Sequence, residues 1–170
     1  MSSDHSFRTS VPGFTIRFAE PDDVPIILDF IKRLAEFEKL SQEVVATEDV
    51  LMDSLFKKRQ AEVIIGEMDE EPVAFALFFH NFSTFLGKAN LYLEDLFVDE
   101  SCRGLGLGKL MFSRLARIAV DRGCERLDWW CLDWNEPSIA FYRGMGAVPM
   151  SDWTVYRLEG EQLRKIAGRL

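Results

Sequence analysis

Apolar and polar side chains alternate from Phe14 to Phe18, the period-two pattern of a half-buried strand. Pro21-Asp22-Asp23 breaks the pattern and offers a cap. Ile27, Leu28, Ile31, Leu34 and Ala35 then recur at helical spacing, which predicts a helix to about Lys39. Thr47 is placed to cap a second helix through Val50, Leu51 and Leu55. Residues 62–68 and 73–79 read as strands around the turn Asp69-Glu70-Glu71-Pro72, and residues 80–90 as a polar and aromatic loop. Residues 91–98 are mostly apolar, as in a strand covered on both faces. A glycine-rich stretch leads into a helix marked by Leu110, Met111, Leu115, Ile118 and Ala119, with Gly123 expected at its C′ position. Residues 126–132 read as a strand and 137–145 as a helix opened near Asn135 and closed by Gly146. Residues 148–158 are expected to hold a last strand, and 161–168 a short helix. The order β-α-α-β-β-β-α-β-α-β predicts an α/β layered sheet, antiparallel early and parallel later. No repeat or linker interrupts residues 14–170, so they read as one domain behind a flexible stretch over 1–13.

Composition narrows the function classes. The chain has 170 residues, long enough for one self-sufficient core. Its formal net charge is −8, with no extended basic stripe, so a nucleic-acid partner is not expected. An acidic surface attracts small cations such as amines instead, although the same charge also serves solubility. Cys102, Cys124 and Cys131 are an odd set without CxxC spacing, and only two histidines are present. No metal site is expected, and a reducing, cytoplasmic setting is. The first 13 residues lack the apolar core of a secretory signal, and the run 73–79 is too short to span a bilayer, so no membrane partner is expected.

The sharpest local motif is Arg103-Gly104-Leu105-Gly106-Leu107-Gly108-Lys109, between a predicted strand and a predicted helix. Alternate glycines let the backbone turn and approach a ligand closely. The helix behind them turns its free N–H groups and positive dipole end toward the same place, making an anion site suited to a pyrophosphate. The spacing is neither a Walker A nor GxGxxG. Upstream, Glu94 and Asp95 interrupt an apolar strand, and period two puts them on opposite faces. A carboxylate there is costly unless paired or used, and desolvation raises its pKa toward that of a general base. Glu94 is favoured for function and Asp95 for a structural or substrate-contact role. Downstream, Tyr142 follows Asn135 by two helical turns and so shares its face; its phenol can donate a proton.

These elements in this order resemble the GNAT superfamily of acetyl-CoA-dependent N-acetyltransferases, through the signature residues Arg103, Gly106 and Gly108. Within it the chain is similar to the diamine acetyltransferases, which include spermidine/spermine and thialysine enzymes. The resembling stretches are Leu34-Ala35-Glu36-Phe37-Glu38-Lys39-Leu40, Tyr92-Leu93-Glu94-Asp95 and Asp133-Trp134-Asn135-Glu136-Pro137-Ser138. The resemblance implies a mixed, largely antiparallel sheet flanked by helices, with a splayed parallel pair holding the CoA. It implies that backbone groups of Leu96, Phe97 and Val98 pair with the pantetheine arm. The amides of Gly104, Leu105, Gly106, Leu107, Gly108 and Lys109, with Arg103 at the rim, would hold the pyrophosphate, and Asn135, Ser138 and Tyr142 would also contact the cofactor. Glu94 would deprotonate the amine and Tyr142 protonate the departing thiolate. Phe37, Glu38, Glu94, Asp95, Asp128, Trp129 and Trp130 would line the acceptor site. A homodimer is also implied, with the stretch Trp153 to Tyr156 as a candidate interface.

The chemistry agrees: an alkylamine of pKa about 10 is nearly all ammonium at neutral pH and must lose a proton before it attacks a thioester. Polyamine-specific members carry an acid and a tryptophan where Ser83 and Phe85 stand here, and a later acid aligns only loosely with Asp152 or Thr154. These departures suit a shorter, lysine-like amine. A protein N-terminal or lysine acetyltransferase and a non-catalytic acyl-CoA-binding module are the alternatives.

Overall fold

The computed structural model describes residues 6–169, which divide after Trp130 into two compact units. The first carries a six-stranded sheet in chain order, β1 (Phe7–Arg8), β2 (Phe14–Phe18), β3 (Glu62–Met68), β4 (Glu71–Ser83), β5 (Lys88–Val98) and β6 (Leu127–Trp129). Every neighbouring pair is antiparallel except β5–β6. Helices α1 (Val24–Phe37) and α2 (Glu48–Leu51) cover one face; α3 (Leu107–Asp121) packs on β4, β5 and β6. The second unit holds α4 (Glu136–Gly144) and α5 (Gly160–Ala167).

The α1 stripe buries Val24, Ile27, Leu28 and Phe30 against Val63, Ile65, Phe75 and Phe97. Phe30 stacks on Phe75 with ring centroids 5.4 Å apart. Thr47 caps α2 by accepting the Val50 N–H at 3.3 Å, and Gly123 takes a left-handed φ of 72° after α3. At Gly66 on β3 the Phe14 ring lies where a side chain would start: a Cβ would sit 2.6 Å from Phe14 Cζ and 3.2 Å from Ala74 Cβ. Gly66→Ala is therefore expected to cost about 1–3 kcal/mol in urea denaturation, the usual span for overpacking a core.

Four sequence expectations change. The loop at 80–90 shrinks to four residues, because His80–Ser83 pair with Leu91–Lys88 and lengthen the hairpin. Ser83 closes that turn: its carbonyl accepts the Gly87 N–H at 2.8 Å and its hydroxyl the Leu86 N–H at 3.2 Å. Within the stretch expected to be flexible, Phe7–Arg8 form an edge strand on Ile16 and Thr15; residues 1–5 lie outside the described residues. The strand expected over 126–132 is only three residues long. Among the described residues no strand forms over 148–158, where Val148, Met150, Trp153, Val155, Tyr156 and Leu158 are exposed; alternation alone does not make a strand without a partner edge.

Candidate active site

The site in the first unit begins with an irregularity in β5. Leu77 on β4 faces Asp95, and the next residue, Phe78, faces Leu93, so Glu94 is an extra, bulged residue. Phe75, Leu77 and Phe97 face the α1–α2 layer. Asp95, opposite Leu77 and two residues from Phe97, shares that face. Tyr92, opposite Phe79 with ring centroids 5.1 Å apart, shares it too. Without the bulge, Asp95 would follow Leu93 to the other side of the sheet. The bulge breaks the period-two pattern at this pair. Glu94 is exposed, whereas burial pushes Asp95 from an ordinary 3.8 up to about 6, aided by the charges of Glu94 and then Glu38.

Glu38 arrives from the end of α1. The helix closes with Lys39 N–H on the Glu36 carbonyl at 3.0 Å and Leu40 N–H on the Ala35 carbonyl at 2.8 Å, the Schellman pattern. Lys39 takes φ 61°, the left-handed conformation usually left to glycine. This stop sets Phe37 and Glu38 at the helix end. Burial raises the Glu38 pKa, and its charge is felt at Asp95. Phe37 carries the Arg103 guanidinium 5.3 Å above its ring. Burial, Glu94 and Asp128 together push the Tyr92 phenol well above its ordinary value.

On β6, Asp128 lies opposite Tyr92, and Trp130 meets the Tyr92 ring edge-on at 6.2 Å. Trp129 points the other way, onto Phe112 of α3 at 5.0 Å, where it packs rather than lines this face. The structure thus brings Glu38, Asp95, Tyr92 and Asp128 to one face, with Glu94 at the bulge. Sequence reading missed Tyr92 as part of this wall; its place two residues before Glu94 on a strand was the available signal.

The anion loop is open. Gly104 and Gly106 have φ of 82° and 78°, and a Cβ on either would meet nothing within 4 Å. Gly106 is the N-cap of α3. The first helical bond runs from the Leu110 N–H to the Gly106 carbonyl at 3.2 Å, so the N–H groups of Leu107, Gly108 and Lys109 have no preceding turn to bond. These residues fit a pyrophosphate: the amides converge at a helix start and no side chain fills the cradle. β6 pairs only with Leu91, Tyr92 and Leu93, leaving the run from Glu94 to Val98 without a β6 partner. This edge suits an extended, amide-bearing arm. Gly106→Val puts a β-branched side chain at a left-handed position facing the cradle. A loss of CoA affinity of about tenfold or more is expected in a folded protein, read by calorimetric titration.

In the second unit Asn135 caps α4, its side-chain oxygen accepting the Ser138 N–H at 3.3 Å, with Pro137 in the first turn. Ser138 and Tyr142 stand one helical turn apart, and Tyr142 is half-buried beside Phe141, ring centroids 5.7 Å apart.

Residues 28–147 match the sequence profile of the Acetyltransferase (GNAT) family, and the chain belongs to that family. Its members are acetyl-CoA-dependent acetyltransferases. Among curated relatives, a thialysine N-epsilon-acetyltransferase of Bos taurus is 34% identical over 166 residues, covering 91% of this chain and 97% of its own. An L-ornithine N5-acetyltransferase of Arabidopsis thaliana is 32% identical, covering 89% of this chain and 86% of its own. Among solved structures, an integron cassette protein of V. cholerae superposes with a TM-score of 0.77 at 26% identity, over 92% of this chain and 99% of that one. Acetyl transfer to a small-molecule amine is the activity these relatives support.

Proposed function

We propose that this enzyme moves an acetyl group from acetyl-CoA directly to the primary amine of a lysine-like or short diamine substrate. The observation that carries the reading is the β5 bulge, which presents two adjacent carboxylates beside the unpaired edge of the same strand. Acetyl-CoA supplies the acetyl group as a thioester. The backbone of Leu96, Phe97 and Val98 holds the pantetheine arm, the amides from Gly104 to Lys109 hold the pyrophosphate, and Asn135 and Ser138 add contacts. Asp95 and Glu38 attract the ammonium; Phe37, Asp128 and Trp130 complete the wall. Glu94, open to solvent, accepts the ammonium proton directly or through a water. The freed nitrogen attacks the carbonyl; as the C–S bond breaks, Tyr142 donates its phenolic proton to sulfur, and the second proton, shed by the nitrogen as it becomes the amide, restores the Tyr142 phenol. One observation favours a second assignment of the base: Asp95, at about 6, has the affinity for a proton that suits a base working near neutrality.

Support for a short substrate comes from the relatives named above and from two positions. Ser83 is used in its own hairpin turn and offers no acid, and Phe85 stands exposed at the tip. A cytoplasmic homodimer belongs to the same proposal. Cys102 and Cys124 are free thiols, and Trp153, Val155 and Tyr156 are exposed. Among the described residues no helix is long and apolar enough to cross a membrane.

The test is thiol release from acetyl-CoA with lysine, thialysine, ornithine, short diamines, spermidine and N-terminal peptides. Lysine-like amines are expected to lead. Turnover confined to peptides supports the protein-acetylating alternative, and no release with any acceptor supports a binding module. With the preferred amine, kcat/KM is expected to rise with pH through about 6, because Asp95 holds the cation only once ionised.

A further inference from the structure

A second arrangement lies beside the anion loop and involves none of the residues assigned above as acid or base. Arg33, in the middle of α1, donates from Nη2 to Asp99 Oδ2 at 2.6 Å, while its Nη1 lies 3.7 Å from Asp29. The same guanidinium sits 4.9 Å above the Phe97 ring. Asp99 is the first residue beyond β5. Its N–H continues the β4–β5 ladder onto the Val73 carbonyl at 2.7 Å. Its Oδ1 accepts the Ser101 N–H at 2.8 Å and the Ser101 hydroxyl at 2.7 Å, and its carbonyl accepts the Cys102 N–H at 3.0 Å.

One carboxylate oxygen therefore winds the turn Glu100–Cys102, and the other ties that turn to α1. The turn leads straight into Arg103 and Gly104. One helical turn beyond Arg33, Phe37 receives the Arg103 guanidinium. α1 thus grips the start of the anion loop at two points. A groove of about 340 Å³ bounded by Arg33, Glu36, Phe37, Phe97 and Glu100 runs between them. The Ser101 hydroxyl and Arg33 hold the Asp99 carboxyl down to about 2, so the ion pair persists across any assay range. Partly exposed ion pairs add only about 0–1 kcal/mol of stability.

We infer that Arg33 is a positioning residue for CoA, acting through Asp99 to fix the turn from which the Gly104–Lys109 amides converge on the pyrophosphate. The inference rests on the cofactor placement proposed above. Its effect belongs to cofactor affinity, because the partners of Arg33 and Asp99 lie on the turn before the anion loop and not at the bulge carboxylates.

The test compares Arg33→Ala, Asp99→Asn, the double variant and Arg33→Lys with the parent, using CoA titration, steady-state kinetics and thermal melting. Asp99→Asn keeps the oxygen that caps the turn and removes the charge that holds Arg33. Each single variant is expected to raise the CoA Kd and the KM for acetyl-CoA about three- to fivefold, with kcat and the amine KM within twofold. The double variant should be no weaker than either single, the signature of two groups acting as one device. Arg33→Lys should recover part of the loss. A lower Tm with unchanged CoA Kd overturns the inference, as do additive losses. If Arg33→Ala does not fold, Asp99→Asn and Arg33→Lys carry the comparison. A parent that binds no CoA overturns the cofactor placement and this inference with it; parent and variants that bind equally overturn this inference alone.

Discussion

Tyr142→Phe is expected to lower kcat by about 10²–10⁴-fold with the CoA Kd within twofold of the parent. Phenylalanine keeps the ring and its contact with Phe141, and removes one hydroxyl. A thiolate is a modest leaving group at neutral pH, so a proton delivered as the C–S bond breaks lowers the barrier of that step. The loss should sit in kcat, because the proton moves only after both substrates are bound. A better leaving thiol needs less help: with an acyl donor whose thiol is more acidic than CoA, the deficit should shrink. Turnover within twofold of the parent would return Tyr142 to a packing role on α4.

Local patterns were legible where a segment's own residues decide its structure. The Thr47 cap, the strand Glu62–Met68 and the glycine loop running into α3 are all of this kind. The loop's geometry was legible too: alternate glycines ahead of a helix led to left-handed Gly104 and Gly106 and an open helix start. What escaped depends on a partner strand. Tyr-Leu-Glu-Asp-Leu-Phe reads as a continuous strand, and only the β4 register reveals that Glu94 has no opposite residue. Asp95 therefore turned out to be the carboxylate that burial perturbs. The short β1 carries too little pattern to be seen, and the stretch 148–158 carries a strand's pattern without pairing. Arg33 and Asp99 stand 66 residues apart, with nothing local to connect them.

Glu94→Gln is expected to lower kcat/KM by about 10²-fold or more for an amine of pKa about 10. Glutamine keeps the shape and hydrogen-bonding reach of the side chain but accepts no proton at neutral pH. The deficit should narrow as pH rises, because free amine then arrives already deprotonated. Asp95→Asn separates the two assignments of the base. If Asp95 only holds the ammonium, its loss raises the amine KM and abolishes the rise of kcat/KM through about pH 6, while Glu94→Gln still carries the kcat defect. If Asp95 is the base, the kcat defect moves to Asp95→Asn, and Glu94→Gln gives a pH–rate profile that superimposes on the parent. Stability supplies an independent readout. A carboxyl raised from 3.8 to about 6 binds its proton more tightly when folded, so its contribution is greatest below pH 3.8 and is lost as pH rises through about 6. Asp95→Asn removes that loss and should make the protein more stable at pH 8 by up to about 3 kcal/mol in urea denaturation. A variant that is more stable and less active marks a carboxylate kept for the amine at the expense of the fold. A variant that loses stability at pH 8 would show Asp95 to be a structural acid, leaving the ammonium to Glu94 and Glu38.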